Sequence, residues 1–225
     1  MARFFLSLLV ALFIAGNANA QRFNRYDIDY DLNKFRDIKE RNSHKDFNVW
    51  ANDLLRNFPL TENGAIKFQY VMRADTAYNA DEMRDVIETW FRTEFGVPPT
   101  VGGTGYTLSI SDAWASVGKI PGAHYGYNAT INAEITCKVE IKNDRLRLTV
   151  GVPRFRAGIG HVDDIAEKLL RPGDCYPAYA KGKEQRQFSV AFINSVSTAL
   201  GKAQSLINML NARAELNSQK GADDW

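Results

Sequence analysis

The sequence predicts an α+β fold: an antiparallel sheet of about five strands with two main helices on one face, in the order β-α-β-β-β-β-α or one strand fewer, preceded by a helical extension. Three stretches carry this. Asn79 to Gly96 reads as a capped amphipathic helix, Tyr125 to Val150 as two alternating strands around a tight turn, and Glu184 to Ala212 as a long helix with one apolar stripe. A hydrophobic content of 45% and a charged content of 24% are those of a soluble globular chain, and 225 residues suffice for one domain of ordinary size plus appendages, or two small ones.

At the N-terminus, Arg3 supplies a positive end, Phe4 to Ala15 an apolar run, and Ala18-Asn19-Ala20 a small-residue cleavage site before Gln21. The run falls short of the roughly 20 residues that a membrane span needs. Residues 1–20 are therefore expected to be a signal peptide and the mature chain to be exported, periplasmic or secreted, with no membrane span after cleavage. Residues 21–63 form an extension rich in polar groups, with helical patterning over about Leu32 to Arg41. A second helical stretch is expected over Asp46 to Asn57, where Phe47, Trp50, Leu54 and Leu55 share a face. Asp27, Asp29 and Asp31 alternate there, but the loop lacks the glycine and closing glutamate of a calcium-binding loop, and a solvated acidic face is the simpler reading.

The domain proper is expected over residues 64–212. Ala65 to Ala74 alternates with Ile66, Phe68, Tyr70 and Met72 on one face, the mark of a half-buried strand. Asn79 then caps a helix, with Glu82 three residues on to complete a capping box. Met83, Val86, Ile87, Trp90 and Phe91 make its apolar face; Gly96 ends it and Pro98-Pro99 prevents resumption. Gly102, Gly103 and Gly105 mark a turn before Tyr106, Leu108 and Ile110 alternate. At Ser111-Asp112 the phase slips, so a bulge or a turn is expected before Ala113, Ala115 and Val117.

From Ile131 to Ile141 every second residue is apolar, while Glu134, Lys138, Glu140 and Lys142 point outward. Asn143-Asp144 turns the chain, and Leu146, Leu148 and Val150 return on the same face. Pro153 to Lys183 reads as a long connection holding one short helical piece near Val162 to Leu170, stopped at Pro172-Gly173. The last helix presents Phe188, Phe192, Val196, Ala199, Ala203, Leu206 and Leu210 along one stripe, and residues 213–225 are expected to be a flexible tail.

The strand from Gly64 to Ala74, the helix carrying Trp90, the Ser111-Asp112 break and the hairpin turning at Asn143-Asp144-Arg145 together resemble a group of exported bacterial domains of unknown function with a TATA-binding-protein-like (TBP-like) fold. The resemblance covers roughly Gly64 to Leu210. It implies a curved antiparallel sheet with helices on one side, and it carries no functional residues.

The chemistry is sparse. His44, His124 and His161 stand in no metal-ligand spacing, and neither a nucleophile elbow, a phosphate-cradling loop nor a dinucleotide fingerprint occurs. No catalytic, cofactor-binding or metal residue is assigned, and no cofactor is called for. His161 with Asp163 and Asp164 is the best acid–base cluster, against the simpler reading that an aspartate caps the short helix after it. Tyr125, Tyr127, Tyr176 and Tyr179, with His161, form a candidate contact surface, against the alternative that they roof the core. Cys137 and Cys175 are either a disulfide, stabilising by roughly 4 kcal/mol on a chain-entropy model, or two unrelated thiols. A formal net charge of +2 offers no electrostatic footprint for nucleic acid. The leading expectation is an exported, non-catalytic binding or interaction module of the bacterial envelope, taking an unknown envelope protein or small ligand. The alternatives are a small periplasmic hydrolase built on His161 and Asp163, and a structural subunit of an envelope assembly.

Overall fold

The structure, a computed structural model, describes residues 26–73, 80–103, 105–121, 128–142, 145–159, 166–175 and 183–223. Two helices come first, α1 (Tyr26–Arg41) and α2 (Phe47–Asn57), the latter capped by Asp46, which accepts from the Asn48 N–H. Strand β1 (Ile66–Arg73) leads to helix α3 (Ala80–Phe95) and the short strand β2 (Thr100–Gly102). Strands β3 (Thr107–Pro121), β4 (Asn128–Lys142) and β5 (Arg145–Val152) follow, then β6 (Phe155–Ile159) and β7 (Ala166–Leu170). One helical turn, α4 (Pro172–Cys175), precedes the long α5 (Lys183–Asp223). The strands form one antiparallel sheet in the order β1-β5-β4-β3-β2, with β6 paired to β4 and β7 to β6.

Side-chain alternation decides which face is dry. On β1, Ile66, Phe68, Tyr70 and Met72 are buried and their neighbours exposed, and on β4 every odd residue from Ile131 to Ile141 is buried. Helices α3 and α5 share that inner face: Trp90 and Phe192 are both fully buried in one continuous core. Burying an aromatic side chain of this size stabilises by roughly 2–3 kcal/mol. Gly96 stands at φ +72°, the left-handed residue that ends α3. The extension packs on the same core. Tyr70 donates to the Asp31 carboxylate at 2.8 Å, and the rings of Phe58 and Phe68 meet edge to face at 5.6 Å. Burial and the Asp31 charge together push the Tyr70 phenol well above its ordinary range.

The break at Ser111-Asp112 is a bulge inside one continuous strand. Ile110 pairs with Cys137 and Ala113 with Ile135, so two residues of β3 face one of β4, and Asp112 takes φ +61°. A second slip lies between Ser116 and Gly118, where the Asn194 side chain of α5 donates to the Val117 carbonyl at 2.7 Å.

Several expectations are corrected. The sheet has seven strands because β2, β6 and β7 join it. The helical piece expected to end at Leu170 is strand β7 from Ala166 onward: good helix formers (Ala, Glu, Lys, Leu) are overruled by pairing with β6. The helix that Asp163 or Asp164 would cap is therefore not formed over Ala166 to Leu170. Pro172 begins a helical turn instead of stopping one, as suits a residue without an N–H at a first helical position. Helix α1 starts at Tyr26, ahead of Leu32, and α5 runs to Asp223 through most of the expected tail. Cys137 and Cys175 are free thiols, both buried, one mid-strand on β4 and one at the end of α4. The structure shows no bridge between them.

Candidate functional site: a notch in the sheet edge

The outer face of the sheet can be written as rows, because directly paired residues share a face. Trp114 pairs with Glu134, Ser116 with Asn132 and Asn132 with Arg156. Thr136 pairs with Gly151 and Gly151 with Lys67; Lys138 pairs with Thr149 and Thr149 with Gln69; Glu140 pairs with Arg147. Two of these rows are locked by ion pairs. Glu140 accepts from Arg147 Nε at 2.7 Å and from Lys138 Nζ at 3.0 Å, and those hydrogen bonds, Arg147 first, hold its carboxyl below the ordinary range. Arg156 lies over the Trp114 ring at 4.0 Å, a cation–π contact.

Glu134 departs from the outward, solvated position that its place in the alternation suggests. It is only 3% exposed, and Arg154 clamps it with Nε at 2.6 Å and Nη2 at 3.1 Å. The backbone explains the clamp. β4 pairs with β5 up to Gly151 and with β6 from Phe155; between them the Glu134 N–H donates to the Arg154 carbonyl at 2.9 Å. Arg154 thus crosses β4 beside Glu134, and its side chain folds back onto the carboxylate.

That same junction opens a notch. On the far edge, β7 ends with Leu170 opposite Phe155 and β1 begins with Ile66 opposite Val152, leaving Pro153 and Arg154 with no strand on that side among the described residues. The turn before β1 and the α4 turn after β7 leave the sheet here. Gly64, at φ +73°, closes the first turn with its N–H on the Thr61 carbonyl at 2.8 Å. Its carbonyl then accepts from the Gly173 N–H at 2.8 Å, and a Cβ on Gly173 would stand 3.0 Å from Gly64 Cα. The two turns are fastened back to back, and a depression of about 700 Å³ lies on the outer side.

Its floor is Gly151. A Cβ there would come within 2.9 Å of Thr136 Oγ1 and 3.3 Å of the Ile66 carbonyl, so only glycine leaves the hollow open. Lys67, Thr149, Arg154 and Arg171 stand around it with Glu62. Arg171 is itself held, donating Nε and Nη2 to Asp174 at 2.8 Å each. The volume falls within the range of small-molecule sites, and charged groups stand around a lining that is mainly apolar.

The residues singled out in the sequence do not build this notch. Tyr125, Tyr127, His161, Tyr176 and Tyr179 lie outside the described residues, as do His124, Asp163, Asp164 and the leader. His44 is exposed beyond α1. Burial pushes the Cys175 thiol up to about 12, and the Cys137 thiol higher still, which keeps both in the unreactive protonated form. Among the described residues no group of three or more His, Cys, Asp or Glu could hold a metal ion, and no helix is long and apolar enough to cross a membrane. Reading the sequence missed Lys67, Glu134, Gly151, Arg154 and Arg171. One signal was present: the glycine and proline of Val150-Gly151-Val152-Pro153 at the end of a strand pattern, which mark a close approach and a strand break.

No family model and no curated protein matches the chain. Among solved structures it is similar to a TBP-like protein from Parabacteroides distasonis, with 10% identity and a TM-score of 0.41 over 66% of this chain and 96% of that one. It is also similar to a DUF4468 family protein from Bacteroides ovatus, with 13% identity and a TM-score of 0.37 over 64% and 90% of the two chains. At such values the likeness says nothing about activity. The architecture, an α+β fold whose open, curved antiparallel sheet carries its helices on one face, rests on the strand order and registers given above.

Proposed function

We propose that this chain is an exported, non-catalytic binding or interaction module of the bacterial cell envelope, and that it makes contact through the notch and the adjoining outer face of the sheet. The supporting observation is the 700 Å³ depression, which interrupts a sheet edge where a continuous strand would otherwise run. Holding it open takes a glycine floor at Gly151, a glycine–glycine contact at Gly64 and Gly173, and a clamped Arg154. Such features cost conformational entropy or desolvation and return little packing. A site kept open at that cost is the natural place for a ligand. Export is supported by the leader pattern of residues 1–20.

Two measurements test this. The mature chain, immobilised and exposed to envelope extract, is expected to retain a ligand that Thr149→Tyr, which fills the depression, fails to retain. Equal retention by both proteins, or none by either, defeats the proposal. Mass spectrometry of the chain recovered from its native compartment is expected to find Gln21 at the N-terminus; an intact Met1 in the cytoplasm defeats export.

A further inference from the structure

We propose, resting on the reading of the notch as a binding site, that its ligand is a small molecule carrying a carboxylate or phosphate, held by Lys67 with Arg154 and Arg171. The geometry points to this through the donors left over after the local pairing is complete. Glu134 occupies Arg154 Nε and Nη2, and Asp174 occupies the same two nitrogens of Arg171. Each guanidinium therefore keeps Nη1 with no acceptor among the described residues, on a group whose orientation is already fixed by a carboxylate behind it. Planar, pre-oriented guanidinium edges suit oxyanions, which accept along two oxygens.

Lys67 pairs with Gly151 across the β1–β5 ladder, and its exposed ammonium makes no ion pair among the described residues. Thr149 stands in the next row, its hydroxyl without a hydrogen-bond partner among the described residues. Around the hollow the charges leave no positive excess. Lys67, Arg154 and Arg171 are at least balanced by Glu134, Asp174 and Glu62, with Asp112 also acting on Arg154, so donor placement, not net charge, selects the anion. Glu134 and Asp174 are each fully engaged by an arginine. Glu62 is the one carboxylate on the rim that stands outside an ion pair among the described residues, and it opposes an anion. The fastening of Gly64 to Gly173 blocks one end of the notch, which fits a compact ligand better than a polymer threading through.

The test titrates the isotopically labelled mature chain with inorganic phosphate, with citrate and with neutral glucose, following backbone amide resonances. Phosphate or citrate is expected to move the amides of Lys67, Thr149 and Gly151, and glucose to leave them in place. Lys67→Glu, at an exposed position where folding is not at risk, is expected to weaken the anion by about tenfold or more, the loss of one charge-assisted contact. Glu62→Gln is expected to tighten it by about threefold, through removal of one nearby like charge. Anions that leave the three amides unmoved at millimolar concentration, or a Lys67→Glu protein that binds them as wild type does, overturn the inference. If an envelope ligand is retained by wild type and by Lys67→Glu but lost by Thr149→Tyr, the anionic class is wrong and the binding site stands. If wild type retains nothing and no anion binds, both fall.

Discussion

Replacing Lys202 by methionine should loosen the joint between α3 and α5 and do so in a pH-dependent way. Lys202 Nζ stands 2.6 Å from Glu94 Oε2 and 3.1 Å from the Glu94 carbonyl, so one ammonium serves both a carboxylate and the end of α3. Ser205 donates to the other carboxylate oxygen while accepting from Trp90 Nε1 at 3.2 Å, which ties the cluster to the largest fully buried side chain of the core. The Lys202 and Glu94 side chains are 20% and 25% exposed. Removing one partner of a fully buried pair costs roughly 3–5 kcal/mol; water at a quarter-exposed pair relieves part of that, and about 2–3 kcal/mol is expected here. Methionine keeps the stem volume over the Phe95 ring, where the ammonium now sits 4.9 Å from the centroid, so packing loss is minor.

The pH signature separates charge from packing. Burial works against the charged form of Glu94, yet the hydrogen bonds from Lys202 and Ser205 and the Lys202 charge outweigh it, and the carboxyl sits below its ordinary value of 4.5. A depressed folded-state value means that the unfolded chain binds more protons, so stability is present above about pH 4.5 and drains away as pH falls through the folded value. The gap between wild type and Lys202→Met is therefore full at pH 7 and narrows toward pH 4. Urea unfolding followed by tryptophan fluorescence at the two pH values measures it. A gap under about 0.5 kcal/mol at pH 7, or one that does not change with pH, refutes the assignment.

Three further outcomes are expected. Trp90→Ala empties the centre of the shared core and should cost roughly 3–5 kcal/mol in urea unfolding, or leave the chain unfolded. Gly173→Ala drives a Cβ to 3.0 Å from Gly64 Cα and should cost about 1–3 kcal/mol, whereas Gly96→Ala meets no atom within 4 Å and should cost only about 1–2 kcal/mol of left-handed backbone strain; thermal melts of the two compare them. Cys137 and Cys175 should each take up a thiol reagent only after denaturant is added. Mass spectrometry should find no loss of two hydrogens in the native chain, since both sulfurs are buried and unbonded.

What the sequence determined by itself was each element whose period repeats over a full face. The α3 stripe of Met83, Ile87, Trp90 and Phe91, the β1 alternation, the β4–β5 hairpin and the break in phase before Ala113 were all legible, because a buried face imposes its spacing on the chain that makes it. Asp112 even marks its own irregularity, being one of the few residue types that tolerate a left-handed backbone. Only the tertiary structure decided the rest. Ala166 to Leu170 has helix-forming composition and becomes a strand because β6 offers it an edge. Glu134 occupies a solvent position in the alternation and is buried because β6 brings Arg154 across it. The notch belongs to no segment at all: it exists where β7 stops and β1 starts on one edge, with Gly151 below and Gly64 against Gly173 behind. Local periodicity reports which side of an element is dry. It carries no record of which distant element ends beside it, and the site is made of those endings.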